Sequence, residues 1–318
     1  MVCLLLFKQS FAQEAELIRF CEENRFNPTE FSQKLTGKKA NTPTMRILKV
    51  YEKSLNGNYK GFIHDASMLH SIKNQSINNA FILHLKQLEE CEYSLLNGEF
   101  YAAKKGLEQA VSFARKKHEN QWVSQAYRLY SKVYLYENKK DSADLFINRA
   151  IEFAKRSTNE LELALCLHQS ALNHAQFSNI QEAVTQELLA LQVVEKLNNT
   201  YYECIFNRFI AELSLDAGNL REAENYLRKS QLKSGRISSK RLKLENDILR
   251  ARIEIRKGFP NEVLVFLPAS VKGLETLKDY MSLGEAWMVL GETYNAAKQI
   301  NKSLEAFNTS LTYFEQSR

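Results

Sequence analysis

The chain has 318 residues, 44% hydrophobic and 25% charged, with a formal net charge of +6. A mean hydropathy of -0.39 and the lack of any apolar run of about 18 residues exclude a membrane-spanning helix, and 11 Gly with 4 Pro leave little material for linkers between compact domains. So few breakers over this length predict helices throughout, and five cysteines, an odd number without a Cys-x-x-Cys pair, read as reduced apolar fillers.

Residues 1–13 come first. Met1 to Phe7 and then Ser10 to Gln13 look like the end of a secretory leader with a small-residue cleavage site after Ala12. Lys8 interrupts the apolar stretch and no basic residue precedes it, so an ordinary buried segment of a cytoplasmic protein is favoured, with export through a truncated leader as the alternative. Residues 14–83 are expected to be off-pattern helices with one degenerate repeat. Asn27-Pro28 opens a short helix, Thr42-Pro43 starts a longer one that ends at Asn56-Gly57-Asn58, and a further helix carries Ile63, Met68 and Ile72.

Residues 84–318 repeat with a period of 40. Small residues recur at Cys91, Ser131, Ala171, Ala211, Ala251 and Gly291. A second column runs Ala103, Ala143, Ala183, Ala223, Val263, Ser303, and a third Ala110, Ala150, Ala190, Ser230, Ser270, Ser310. Between the first two lies a turn, clearest at Asn97-Gly98-Glu99, Ala217-Gly218-Asn219 and Lys257-Gly258-Phe259, where Gly suits a left-handed helix C-terminus. Each unit is therefore helix A, tight turn, helix B, with small residues where two helix backbones cross closely.

In the last unit Trp287-x-x-Leu290-Gly291-x-x-Tyr294 is followed by Ser303, Phe307 and Ser310. An earlier unit carries Tyr127, Tyr130-Ser131, Tyr134, Ala143, Ile147 and Ala150. This pattern resembles the tetratricopeptide (TPR) repeat family in a long-period variant, and implies an all-α, right-handed α-solenoid of antiparallel helix pairs, a TPR-like superhelix. Three features depart from the family. Glu187 occupies an apolar slot, Pro268 lies inside a helix B, and the usual period is about 34.

The resemblance further implies that A helices line a concave groove whose ligand-binding positions here are Arg128, Lys132, His168, Arg208, Glu212, Arg252, Met288 and Glu292. A row of Arg128, Lys132, Arg208 and Arg252 suits an acidic protein or peptide ligand. The Asn that chaperone-tail-binding members use at the Lys132 and Glu212 position is missing, which argues against that carboxylate clamp. From Arg228 to Lys257 eleven Lys or Arg face three acids. Arg228, Lys229, Lys233, Arg236, Lys240, Arg241 and Lys243 form the basic patch, with a loop-like stretch from Lys233 to Lys240, but no aromatic residue interleaves the charges for base stacking.

No phosphate loop, His-Glu-x-x-His motif or Cys/His nucleophile is present: Cys166 and His168 stand two apart on a helix, where side chains diverge. No cofactor, metal or catalytic residue is expected. The reading is a non-enzymatic protein- or peptide-binding scaffold, the sensor part of a signalling regulator. The alternative is a transcriptional or nucleic-acid-associated regulator acting through residues 228–257. The final helix, with Leu304, Phe307, Leu311 and Phe314, is expected to expose an apolar face suited to end-to-end self-association.

Overall fold

The structure, a computed structural model, describes residues 16–21, 28–39, 42–55, 59–77, 79–237, 239–277 and 279–316. The leader-like segment, Asn27 and the stop at residues 56–58 lie outside them. Among the described residues every regular element is helical. The chain forms two compact units, residues 1–113 and 114–318.

The first unit holds α1 (Pro28–Leu35), α2 (Pro43–Leu55), α3 (Tyr59–Ala66), α4 (Ala80–Leu96) and most of α5 (Phe100–Lys116). Helix α2 begins at Pro43, and Thr42 Oγ1 accepts the Met45 N–H at 3.2 Å, so a residue that cannot donate stands where helices leave donors unused. The expected helix through Ile63, Met68 and Ile72 is shorter. It stops at Ala66, two 3₁₀ turns follow (Leu69–Ser71 and Asn74–Ser76), and Met68 is exposed while Ile72 is buried.

The second unit is a solenoid of antiparallel pairs: α6 (Asn120–Tyr136) with α7 (Lys140–Lys155), α8 (Glu160–Gln176) with α9 (Ile180–Lys196), α10 (Thr200–Asp216) with α11 (Leu220–Arg236), α12 (Lys240–Lys257) with α13 (Pro260–Leu277), and α14 (Tyr280–Ala296) with α15 (Ile300–Gln316). Helix α11 continues to Arg236, so only three residues separate it from α12 in place of the longer loop expected from Lys233. Helix α13 runs through Pro268 unbroken. A helices pack on one another (α6 on α8, α10 on α12, α12 on α14), and each B helix reaches the A helix that follows.

All eighteen positions of the three small-residue columns are buried. Their serines do more than fill space. Ser131 Oγ donates to Ala143 O at 2.9 Å, Ser303 Oγ to Gly291 O at 2.8 Å, and Ser310 Oγ to Gly284 O at 2.7 Å, so hydroxyls staple the crossings to otherwise idle lone pairs. Two glycines of α14 leave no room for a Cβ. A Cβ on Gly291 would stand 2.6 Å from the Phe307 ring, and one on Gly284 2.6 Å from Phe314. Both rings thus turn inward, leaving Ile300, Leu304 and Leu311 as the large apolar residues exposed on α15.

Candidate functional site

Four A helices, α8, α10, α12 and α14, present the same helical face at the same 40-residue positions, because each pair repeats the geometry of the last. Together they line a concave hollow of about 470 Å³. His168 and Leu172 come from α8, Ile205, Arg208, Phe209 and Glu212 from α10, Glu245, Ile248, Leu249 and Arg252 from α12, and Glu285, Met288, Val289 and Glu292 from α14. Six of the eight positions named from the repeat frame, His168, Arg208, Glu212, Arg252, Met288 and Glu292, lie together here; Arg128 and Lys132 do not line it. Ile205, Glu245 and Glu285 belong to one further 40-residue row, which the sequence reading passed over.

The arginines are engaged by carboxylates from neighbouring A helices and, for Arg208, from its own helix as well. Arg128 forks onto Glu162, with Nε 3.1 Å from Oε1 and Nη2 3.4 Å from Oε2, and Glu162 is fully buried. Arg208 pairs with Glu212 and, at 3.5 Å, with Glu245. Arg252 reaches Asp216 at 3.3 Å. Burial works against the Arg208 charge, but Glu212, Glu245 and Glu285 more than offset it and hold the guanidinium above the ordinary arginine range. Its Nε is buried without a hydrogen-bond partner among the described residues.

Carboxylates are in excess. Glu212, Glu245, Glu285 and Glu292 face two arginines in the hollow, and neither Glu285 nor Glu292 makes an ion pair among the described residues. Glu285 is exposed to the solvent of the hollow, yet the walls on every side displace enough water to matter. Desolvation, then the Glu212 charge, push its carboxyl up to about 7 against the lowering effect of Arg208. The arginines of the expected anion-binding row are thus already engaged by carboxylates.

His168 sits at the α8 edge of the hollow. Its ring stacks on Phe206 at 4.8 Å and meets Phe209 edge-on at 5.3 Å, while Nδ1 lies 2.8 and 2.9 Å from the two oxygens of Glu187 on α9. Cys166 points elsewhere, buried against Ser124 and Glu162. Burial raises the Cys166 thiol well above its ordinary range and takes Cys91 to about 12, so neither is a ready nucleophile. Among the described residues no group of three or more His, Cys, Asp or Glu could hold a metal ion, and no helix is long and apolar enough to cross a membrane.

Most side chains of the basic patch are engaged locally. Lys233 pairs with Glu203, Arg241 with Glu245 at 3.0 Å and Asp279 at 2.9 Å, and Lys257 with Glu224 at 2.8 Å. Arg228 bonds Asn225, Lys229 lies over the Tyr226 ring at 4.2 Å, and Lys240 bonds Thr276. Arg236 and Lys243 are exposed. Cations paired in this way offer less free charge to a phosphate backbone.

No family model and no curated protein sequence matches the chain. Among solved structures it is similar to the Rap conjugation gene regulator of the plasmid pLS20 in complex with the Phr* peptide, with a TM-score of 0.67 at 15% identity over 86% of this chain and 73% of that one. It is also similar to a Rap protein complexed with Competence and Sporulation Factor, with a TM-score of 0.63 at 11% identity over 98% of this chain and 99% of that one. A third likeness is to a signal transduction ATPase with numerous domains that carries a tetratricopeptide repeat sensor, from Pyrococcus horikoshii, with a TM-score of 0.62 at 12% identity over 87% of this chain and 45% of that one. At these identities the likeness is one of fold. Columns, turns and neighbours agree on a TPR-like fold: the chain is all-α, with antiparallel helix pairs stacked as a solenoid in residues 114–318.

Proposed function

We propose that this protein is a non-enzymatic peptide-binding scaffold, the sensor part of a signalling regulator, and that its ligand is a peptide carrying a basic side chain next to apolar ones. The observation that carries this reading is the hollow between α8 and α14. It is large enough for several residues, floored by Ile248, Leu249, Met288 and Val289, and rimmed by four carboxylates against two arginines. Uncompensated carboxylates at a half-enclosed apolar surface select a cation, because the low local dielectric strengthens the attraction and like charge is repelled. A structural neighbour is in complex with a peptide, which supports peptide as the ligand class. End-to-end self-association through the exposed Leu304 and Leu311 belongs to the same proposal and is read by light scattering across a concentration series.

A random heptapeptide library displayed on phage and selected against the purified protein tests the reading. Enriched peptides should carry Lys or Arg beside an apolar residue. Glu285→Lys should weaken their binding at least tenfold by fluorescence polarisation, with an unchanged circular dichroism spectrum. No enrichment, or enriched acidic peptides indifferent to Glu285→Lys, would reject it.

A further inference from the structure

The position of Glu187 is anomalous within its own column. At 40-residue spacing the equivalent residues are Leu107, Ile147, Leu227, Leu267 and Phe307, all apolar, and the first four are buried. Glu187 is also fully buried. Five repeats thus show that this slot folds best around a hydrocarbon side chain, and one repeat places a carboxylate there. A carboxylate withdrawn from water is unfavourable unless it is paired and hydrogen-bonded, and a pair in such a place stabilises less than a well-packed apolar residue of similar volume. Burial accordingly pushes the Glu187 carboxyl up, with His168 pulling it back.

The pairing is directed at the hollow. Both Glu187 oxygens lie within 2.9 Å of His168 Nδ1, and His168 belongs to the hollow's lining. Phe206 covers the ring by stacking and Phe209 meets it edge-on, so carboxylate and aromatic neighbours together leave the ring one orientation. With Nδ1 committed to Glu187, Nε2 is the ring atom left to make a hydrogen bond elsewhere. A local departure from the folding pattern with no gain in packing is the mark of a functional position, and a carboxylate behind a histidine is a recurrent way to fix its ring and tautomer.

We propose that Glu187 is a positioning residue that fixes His168 so that its Nε2 hydrogen-bonds a polar group of the peptide bound in the hollow. This rests on the peptide-binding reading above. His168 is the contact residue, and Glu187 acts only through it.

The test compares Glu187→Leu, which restores the residue type of the other repeats, and Glu187→Gln, which keeps an acceptor for Nδ1, with the wild type. The probe is a peptide enriched from the heptapeptide library on wild-type protein. Glu187→Leu should melt at or above the wild-type temperature and bind the probe at least tenfold more weakly, with Glu187→Gln in between. A structural role alone predicts the opposite split. A clearly lower melting temperature with unchanged affinity would make the pair a packing element, and unchanged affinity overturns the proposal at any melting temperature. A ligand-free arm keeps the two readings apart: long-range ¹H–¹⁵N spectra of the imidazoles should show one fixed His168 tautomer or charge form in the wild type and an altered signal in Glu187→Leu. Identical His168 signals in the two proteins refute the positioning role even if no peptide is ever enriched. A library that enriches nothing while the imidazole signals do change removes the peptide reading, and with it the assignment of a ligand to Nε2.

Discussion

Removing Arg128 should unfold more than it unbinds. The Glu162 carboxylate on α8 is fully buried, and its fork with Arg128 is its one ion pair among the described residues. Besides the guanidinium its partners among the described residues are Ser124 Oγ at 3.3 Å and Cys166 Sγ at 3.5 Å. In Arg128→Ala a hydroxyl and a thiol would face an uncompensated buried charge, a situation that costs about 3–5 kcal/mol. The Arg128 side chain is itself 28% exposed, so water enters part of the vacated space and the lower end of that range is expected. At about 2–4 °C per kcal/mol for a unit of this size, the melting temperature should fall by at least roughly 6 °C. The double variant Arg128→Met/Glu162→Leu, in which both partners become apolar, should recover most of the loss. Urea melts followed by circular dichroism on the two single variants and the double variant complete the cycle. An Arg128→Ala cost within about 1 kcal/mol, the value of an exposed ion pair, together with additive effects in the double variant, would refute the reasoning.

Ala211 is fully buried among Leu215, Ala223, Leu227, Leu249 and Ile253, so Ala211→Trp should cost about 3 kcal/mol or more by overpacking. Lys196→Trp, at an exposed site, should stay within about 0.5 kcal/mol, and equal melting temperatures for the two would contradict the column assignment. The folded-state carboxyl of Glu285 titrates at about 7, above its ordinary 4.5, so the folded chain holds the extra proton and this residue's stabilising contribution is lost as pH rises from about 4.5 to 7. Glu285→Gln and wild type should therefore melt together near the low end of that range and separate above it, the variant higher; parallel curves would count against the shift. Ser178 adopts φ of 60°, where a side chain costs about 1–2 kcal/mol, so Ser178→Gly should raise stability by about 0.5–1 kcal/mol in a urea melt after the entropy cost of glycine is subtracted. A loss of stability would mean that the Ser178 side chain holds the turn.

The scaffold was legible because packing imposes it at fixed spacing: a close helix crossing admits only small residues, and those recur every 40 positions. A fourth column went unread. Asn79, Asn159, Asn199, Ser239 and Asp279 each cap the start of an A helix through a side-chain oxygen, on the same 40-residue frame, which only Glu119, between the first two, breaks by making no side-chain cap. The groove positions could be placed from the same frame, but their electrostatics could not. The compensating pairs span neighbouring A helices, Arg128 to Glu162, Arg252 to Asp216 and Arg208 to Glu245. Whether two charges on adjacent helices meet depends on rotamers and helix separation, which periodicity does not encode. Glu187 was visible only as a mismatch, since its meaning lies in the one histidine it touches.

The turn from helix A to helix B is closed by a main-chain hydrogen bond. In every repeat the residue after the turn donates its N–H to a carbonyl five residues back, from Glu99 to Ser94 (2.8 Å), Lys139 to Tyr134 (2.9 Å), Asn179 to His174 (2.9 Å), Asn219 to Ser214 (2.8 Å), Phe259 to Glu254 (2.9 Å) and Gln299 to Tyr294 (2.8 Å). The left-handed position just before it is taken by Gly98, Asn138, Ser178, Gly218, Gly258 and Lys298 without change of geometry. A corner held by atoms that all residues share tolerates drift. Mutation can then rewrite most of the surface while the corners and a few small side chains keep every pair in place, which is how chains that share only 11–15% of their residues with this one still superpose on it. Such an architecture can change what it recognises one rung at a time, without renegotiating how it folds.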